Sequence, residues 1–387
     1  MVNNRLVGFI ARRLVRGLVA LVLFQTILFA LIHSLPGDFA SIAGAFGGRA
    51  GRAAIQRRLG LDEPLGQQYL DWLWRAAHLD FGESFLYSPE RVTDVLLARA
   101  PRTLLVFFSA AILAYALGLW LGKQVAWRRG GRLELATTVV SLAAHTSFAP
   151  WLGFLALNIF AWNLGWFPYQ HLINFNKWLE ADISIDAILL RMVLTGGAVF
   201  AAGLGSGAIV RRARKRARRI AVRTALVFIT GLACFAWWAR SGYASLALDV
   251  TAHLVLPLGT VVLLSFGETL LTMRATMLET MGADHVTAAR ARGLPESILR
   301  DRHVARVAML PVLSRLLLSL PFVLVGSLVI ERVFFWQAMG QVVFNAIEFQ
   351  DLPLIVGVLS LIGALVLFSH ILLDVLYLIL DPRLRYA

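Results

Sequence analysis

Charged residues are scarce in this sequence, and cysteine is almost absent. Charged side chains make up 16% of the 387 residues and hydrophobic ones 58%, a balance that would leave a soluble domain with too little polar surface to cover its core. The single cysteine, Cys234, excludes an internal disulfide and a multi-cysteine metal site. The composition therefore predicts a membrane protein.

The sequence also lacks the residue sets that catalysis needs. The segment 118–123 resembles a phosphate-binding loop only in part, because three residues rather than four separate its glycines and no Ser or Thr follows the lysine. The eight histidines show no metal-ligand spacing. We therefore expect no catalytic residue, no bound metal and no cofactor in this chain, which by itself does not hydrolyse ATP.

Apolar residues come in eight long stretches, each close to the roughly 20 residues that a helix needs to cross a bilayer. A cleaved signal peptide is the alternative for the first stretch, but this stretch is longer than the apolar part of a signal peptide and no clear cleavage site follows directly. We expect an uncleaved transmembrane helix there. The predicted spans are 12–34, 103–125, 135–160, 187–210, 220–239, 252–273, 309–330 and 354–379.

Basic residues are concentrated in alternate connecting segments. They are in excess at the N-terminus, in the turn after the second span, in 211–219, in 274–306 and in the tail, whereas the other segments are balanced or acidic. Since Lys and Arg favour the cytoplasmic side, we expect both termini in the cytoplasm. The net charge of +14 then reflects orientation and contact with anionic lipid, and not nucleic-acid binding.

The loop between the sixth and seventh spans is the most structured segment predicted in the cytoplasm. The pattern predicts a helix over 277–293 that ends at Gly293 in a left-handed cap, and Pro295 suits the first turn of a second helix. Small side chains at Ala288 and Ala289 leave a low surface that the groove of a partner can grip. An ordinary solvated loop is the alternative.

One acidic residue, Glu268, lies inside the predicted span 252–273. An ionisable group at membrane depth is a candidate functional residue. The alternative is an ion pair with Arg274 near the cytoplasmic edge. The sequence does not decide between the two.

Several short motifs along the chain recur in one family of transport proteins. They are 59–62, 64–65, 68–70, 253–257, the loop segment 277–294 (MLETMGADHVTAARARGL), 302–303, 310–311, 331–334, 339–340 and 374–386. Together they resemble the inner-membrane permeases of binding-protein-dependent ABC importers, in the branch that imports dipeptides, oligopeptides and nickel. The resemblance covers roughly 1–165 and 250–387.

This resemblance implies an all-α polytopic membrane protein with the type I ABC importer transmembrane fold. About eight helices are expected, six of the family and an inserted pair at about 180–245. The chain would divide into an N-terminal transmembrane helix (1–34), an extracytoplasmic segment (35–101) and a permease domain (102–380) with a coupling loop at 274–308. It departs from the branch at the insert and at Ala288, where Thr is frequent.

The resemblance also implies a function. The chain would form the path for di- or oligopeptides, or nickel, delivered by an external binding protein. A second homologous permease, as a heterodimer, and two cytoplasmic ATPase subunits with ATP-Mg would complete the importer in the cell membrane. The residues implied in ATPase coupling are Glu279, Asp284, Ala288, Ala289, Arg290, Arg292, Gly293 and Leu294.

Two other classes remain as alternatives. A secondary transporter driven by an ion gradient would need midplane carboxylates and broken helices in paired repeats, whereas Glu268 and Asp374 both lie near cytoplasmic ends. A membrane-embedded enzyme would need a nucleophile with its base, or a metal set, and neither is visible.

Overall fold

The long apolar stretches form helices, because a helix satisfies its backbone hydrogen bonds within one segment and lipid offers no other partners. The computed structural model describes residues 2–34, 63–128, 130–169, 171–210, 216–325 and 328–380. A π-helical segment, Leu299–Val304, connects the short helix α11 to α12. The helices in chain order are α1 (Val2–Ser34), α2 (Leu65–Ala77), α3 (Val92–Trp127), α4 (Arg132–Thr146), α5 (Ala149–Asn163), α6 (Phe175–Trp178), α7 (Ile185–Val210), α8 (Arg216–Ser241), α9 (Ala244–Met281), α10 (Asp284–Ala291), α11 (Glu296–Ile298), α12 (Ala305–Val325), α13 (Leu328–Phe334), α14 (Met339–Glu348) and α15 (Leu352–Leu380).

Six helices in the described parts of the chain are long and apolar enough to cross a membrane, or seven if α4 and α5 form one bent span. These segments match seven of the predicted spans. The remaining prediction, 309–330, overlaps α12 and α13, and its residues 326 and 327 lie outside the described residues. The all-helical membrane fold is confirmed, with eight as an approximate count.

The third predicted span, 135–160, is wrong as a single helix. Helices α4 and α5 are inclined by 108° to each other. Ser147 and Phe148 between them are extended, and Pro150 lies in the first turn of α5. A proline lacks the N–H that a helix continuing from α4 would need at this position. The break therefore has a local chemical cause.

Helix α9 is the centre of the bundle and packs closely on α3 and α4 through glycines. A Cβ atom at Gly122 of α3 would lie 2.8 Å from the carbonyl oxygen of Leu270, and one at Gly267 of α9 would lie 2.5 Å from the carbonyl oxygen of Ser141. Both contacts meet backbone, which cannot move aside as a side chain can. Glycine is needed at these positions because the backbones approach so closely.

We predict that replacing Gly267 with alanine destabilises the protein by about 1–3 kcal/mol, because the added methyl group overpacks the α4–α9 contact. The measurement is the thermal unfolding midpoint of the purified protein in detergent. Gly259→Ala is the matched control, since Gly259 lies on the same helix with open space around it. Equal midpoints for the two variants would contradict the close approach.

One end of the bundle is held by acidic side chains that accept hydrogen bonds from distant segments. Asp249 of α9 accepts from the backbone N–H of Asn174 at 2.9 Å and from Nε1 of Trp178 at 3.2 Å. Arg102 of α3 donates to Asp186 of α7 at 2.7 Å. All of these residues lie in or beside segments predicted on the outer side, and we call this end the outer end.

Ion pairs join the helices at the opposite end. Arg13 of α1 pairs with Asp374 of α15, and Arg274 of α9 pairs with Glu134 of α4. These residues lie at the ends of spans that the charge pattern assigned to the cytoplasm, and we call this end the inner end. Each of these contacts thus joins residues that the sequence predicted on the same side.

The predicted helical pair at about 180–245 is present as α7 and α8. Ile188 and Leu189 of α7 are fully buried against the bundle, and the guanidinium of Arg191 lies 5.6 Å from the ring centre of Trp237 on α8. The outward side chains of α8 are apolar, with Phe228 and Phe235 both largely exposed. Such a surface suits lipid, so the pair lies at the periphery. Residues 211–215 of the basic run are outside the described residues.

Candidate coupling site

The predicted continuous helix over 277–293 is wrong. Helix α9 ends at Met281, Ala283 is extended with φ −73° and ψ 144°, and α10 begins at Asp284. A straight continuation would carry the following residues away from the bundle. The break at Gly282, a poor helix former, instead lets α10 lie against the inner end.

Two small side chains anchor α10. Val286 and Ala289 are fully buried, and their spacing of three residues places them on one face of the helix. Val286 belongs to an apolar cluster with Met273 and Met277 of α9 and with Val304 before α12. Ala289 was predicted to take part in ATPase coupling, and the structure places it on the face turned towards the bundle.

The other predicted coupling residues are at the surface of the inner end. Glu279 in the last turn of α9 is exposed and Leu294 is half-buried, whereas the exposed residues on and just after α10 are Asp284, Ala288, Arg290, Arg292 and Gly293. Nε of Arg290 lies 3.5 Å from a carboxylate oxygen of Glu296 on α11. Both side chains are exposed, so this ion pair contributes little to stability. The predicted coupling residues other than Ala289 therefore lie together at one surface of the inner end.

The turn after α10 is as the sequence predicted. Gly293 has φ +73°, the left-handed region in which a residue with a Cβ atom is strained. Pro295 follows in extended conformation with φ −61° and ψ 144°. It was predicted in the first turn of the second helix, and it lies directly before that turn, at the N-cap of α11. The helix–break–helix design is confirmed.

The base of this loop is fastened to the bundle. Nζ of Lys123 on α3 lies 3.1 Å from Asp301, and hydrogen bonds from Arg300, with Lys123 adding to them, hold the pKa of Asp301 below its ordinary value. The hydroxyl of Thr276 donates to the carbonyl oxygen of Ala308 at 3.0 Å. The contacts thus link the segment before α12 to α3, and α9 to α12.

The suggested ion pair between Glu268 and Arg274 is wrong, because Arg274 pairs with Glu134. Glu268 instead pairs with Arg315 of α12, with Nη1 and Oε1 2.8 Å apart. The sequence reasoning missed Arg315. The available signal was that Arg315 is the only charged residue in the predicted span 309–330.

Metal ligation finds no support in the described ranges, since no three of their His, Cys, Asp and Glu side chains are grouped to hold an ion. The site consists of the exposed surface around α10 and the ion pair between Glu268 of α9 and Arg315 of α12.

Two sequence models of transport proteins match the chain. The one described as the inner membrane component of binding-protein-dependent transport systems matches residues 114–386. The N-terminal model of such membrane components matches residues 6–106. The chain belongs to this family. The permease is accordingly a membrane component of an ABC importer, with the transmembrane fold of type I importers.

Curated relatives of the permease cover it almost completely. It is 30% identical over 390 residues to the di/tripeptide transport system permease protein DppB of Pseudomonas aeruginosa, with 98% of this chain and 99% of the relative aligned. It is 27% identical over 385 residues to the dipeptide transport system permease protein DppB of Escherichia coli K12, with 98% of each aligned. The family consists of permease subunits and not of ATPases, and nothing in these matches favours the transporter driven by an ion gradient.

Proposed function

We propose that the permease forms the translocation path for di- or oligopeptides delivered by an external binding protein. The support is the names of its relatives, which are permeases for dipeptides and for di- and tripeptides. The same names favour peptides over nickel, which the sequence motifs left open. Selection of the individual peptide is then the task of the binding protein.

The proposed assembly contains a second homologous permease, two ATPase subunits that bind ATP-Mg, and the binding protein on the outside. Both termini are in the cytoplasm, so the inner end carries the ATPases. The basic connecting segments support this orientation. The chain divides into the extracytoplasmic segment 35–101 and the permease domain 102–380. The pair α7–α8 is an insertion that leaves the orientation of the later spans unchanged.

The observation that carries the proposal is the exposed face of α10, a short helix whose buried residues are Val286 and Ala289. A helix does not compress along its axis, so an ATPase that grips this face moves the bundle as a rigid body between two packings. Contacts to the ATPase come from the exposed residues Glu279, Asp284, Ala288, Arg290 and Arg292, with Gly293 and Leu294 shaping the turn.

Transport of peptides is tested with the permease and the remaining subunits of its own system in liposomes. We expect ATP-driven accumulation of a labelled dipeptide that requires the binding protein, and no accumulation of nickel. Uptake that persists without ATP and follows an imposed ion gradient would contradict the proposal. Nickel uptake in place of dipeptide uptake would overturn the choice of substrate.

We predict that Ala288→Trp lowers co-purification of the ATPase by about tenfold or more, because a bulky side chain on the exposed face of α10 prevents close docking. A tenfold loss corresponds to about 1.4 kcal/mol. The control is Ala221→Trp, the same change at an exposed alanine near the inner end of α8. Retention of the ATPase by the Ala288 variant, at the level of the control, would exclude this face as the docking site.

A further inference from the structure

The ion pair between Glu268 and Arg315 lies at membrane depth and is nevertheless exposed. Glu268 is five residues and Arg315 six residues from the inner ends of their predicted spans, which at the rise of an α-helix is about 8 and 9 Å. The positions of the two residues on their helices thus indicate a similar depth in the membrane. More than half of each side chain is exposed, 55% for Glu268 and 56% for Arg315.

Lipid is an unfavourable neighbour for this surface. A charged side chain facing hydrocarbon is unfavourable, and charged residues inside membranes characteristically face a protein interior or water. An exposed ion pair in one subunit of an assembly therefore indicates a face that is covered by water or by another subunit.

The surroundings of the pair are polar and come from three helices. Nη1 of Arg315 also lies 3.1 Å from the hydroxyl of Thr272. The hydroxyl of Tyr115 on α3 lies near the side chains of Thr269 and Ser319 and near both members of the pair. We call these six residues the polar cluster: Tyr115, Glu268, Thr269, Thr272, Arg315 and Ser319.

The exposed side of α9 changes between its two halves. From position 251 to position 263 the exposed residues are Thr251, Val255, Gly259 and Leu263, four residues apart on one face. In the inner half the exposed positions include Glu268, Ala275 and Glu279, with Thr272 half-buried between them. From Leu263 to Glu268 the direction rotates by about 140°. The inner face is polar and continues from the cluster to the coupling loop.

We propose that the polar cluster lines the inner half of the translocation path and binds the charged termini of a peptide by exchange of ion-pair partners. The inference rests on the proposed function, peptide import. The peptide carboxylate takes the place of Glu268 on the guanidinium of Arg315, whose planar fork fits a carboxylate, and the peptide ammonium takes the place of Arg315 on Glu268.

This exchange explains why a neutral pair is suitable in a path. A peptide with free termini carries one charge of each sign, so the net charge of the site is the same before and after binding. Each group keeps an opposite partner throughout, and neither charge is left alone in a poorly solvated place. Because the empty site is already satisfied, binding is weak enough for release into the cytoplasm.

The lining role is tested by thiol accessibility in a Cys234→Ala background, which removes the only cysteine of the chain. Thr272→Cys and Leu263→Cys are compared in the complete importer, treated with a charged, membrane-impermeant thiol reagent in inside-out vesicles. Such reagents attack the thiolate, which forms in water. We expect Thr272→Cys to react at least about tenfold faster. Equal rates would overturn the assignment of this face to the path.

The exchange role is tested with the double variant Glu268→Gln with Arg315→Gln, which removes both charges and keeps hydrogen-bonding side chains. Dipeptide uptake is expected to fall by about tenfold or more, while ATP hydrolysis stimulated by the binding protein and the unfolding midpoint are retained. The control is Arg13→Gln with Asp374→Asn, which neutralises the ion pair between α1 and α15; its uptake should stay within about twofold of the wild type.

The outcomes separate the two proposals. Normal uptake by the double glutamine variant overturns the exchange, while the wild-type permease still imports peptide. An equal loss in both uptake and stability would assign the pair a structural role and overturn the exchange as well. If the wild type imports no peptide, the proposed function fails, and the thiol rates still decide whether the cluster lines the path.

Discussion

Replacement of Gly293 with valine is expected to disconnect the permease from ATP hydrolysis. Gly293 has φ +73°, and a β-branched residue in this region costs about 1–3 kcal/mol. The turn between α10 and α11 then opens, and the exposed face of α10 is no longer held in one orientation. We expect ATPase co-purification and ATP-driven peptide uptake to fall by about tenfold to a hundredfold.

The control for this experiment is Gly282→Val in the same loop. Gly282 has φ −81°, which valine adopts without strain, and the nearest atom to an added Cβ would be the carbonyl oxygen of Glu279 at 3.6 Å, an ordinary contact. Both variants add the same side chain within the coupling loop. If Gly293→Val binds the ATPase and transports as well as Gly282→Val does, the left-handed turn has no role in coupling.

Removal of the carboxylate of Asp351 should have the largest effect on stability. Asp351 is fully buried and accepts hydrogen bonds from the hydroxyl of Ser84 at 2.5 Å, from the backbone N–H of Leu86 at 2.9 Å and from that of Leu354 at 3.2 Å. It thereby joins the segment before α3 to the start of α15. Asp351→Ala leaves three donors without this acceptor.

Each hydrogen bond to a charged group contributes about 1.5–3 kcal/mol, and the three share one acceptor, so we expect a loss of about 3–5 kcal/mol. The unfolding midpoint in detergent should fall by roughly 5 °C or more. Asp351→Asn, which keeps one acceptor oxygen, should lose less. The control is Glu348→Ala, an exposed carboxylate at the end of α14, and a midpoint for Asp351→Ala equal to that of the control would contradict the role of the carboxylate.

Local chemistry made several features of the loop predictable. Gly293 followed by Pro295 indicates a left-handed turn and a new helix start from backbone preferences alone, and both are observed. The break at Gly282 was not predicted, because a single glycine inside a helical pattern is often tolerated. Burial of Val286 and Ala289 on the bundle decides it, and Val286 packs in a cluster with residues of α9 and α12.

The partners of the charged residues could not be predicted. Glu268 is six residues from Arg274 but pairs with Arg315, 47 residues away, and Asp351 binds Ser84 across 267 residues. Such pairs depend on which helices are neighbours and on how each is rotated. Apolar spans carry little information about either, since every face of a membrane helix can be apolar.

The sequence by itself determined that the chain is a bundle of membrane helices with alternating loops and a structured loop after the sixth span, because bilayer thickness sets the length of the apolar stretches and charge sets the side of each loop. Only the tertiary structure decided the bend between α4 and α5, the inward direction of Ala289 and the pairing of Glu268 with Arg315. These features arise from close contact between helices, where backbone approach at residues such as Gly267 fixes the rotation of each helix and so the direction of its side chains.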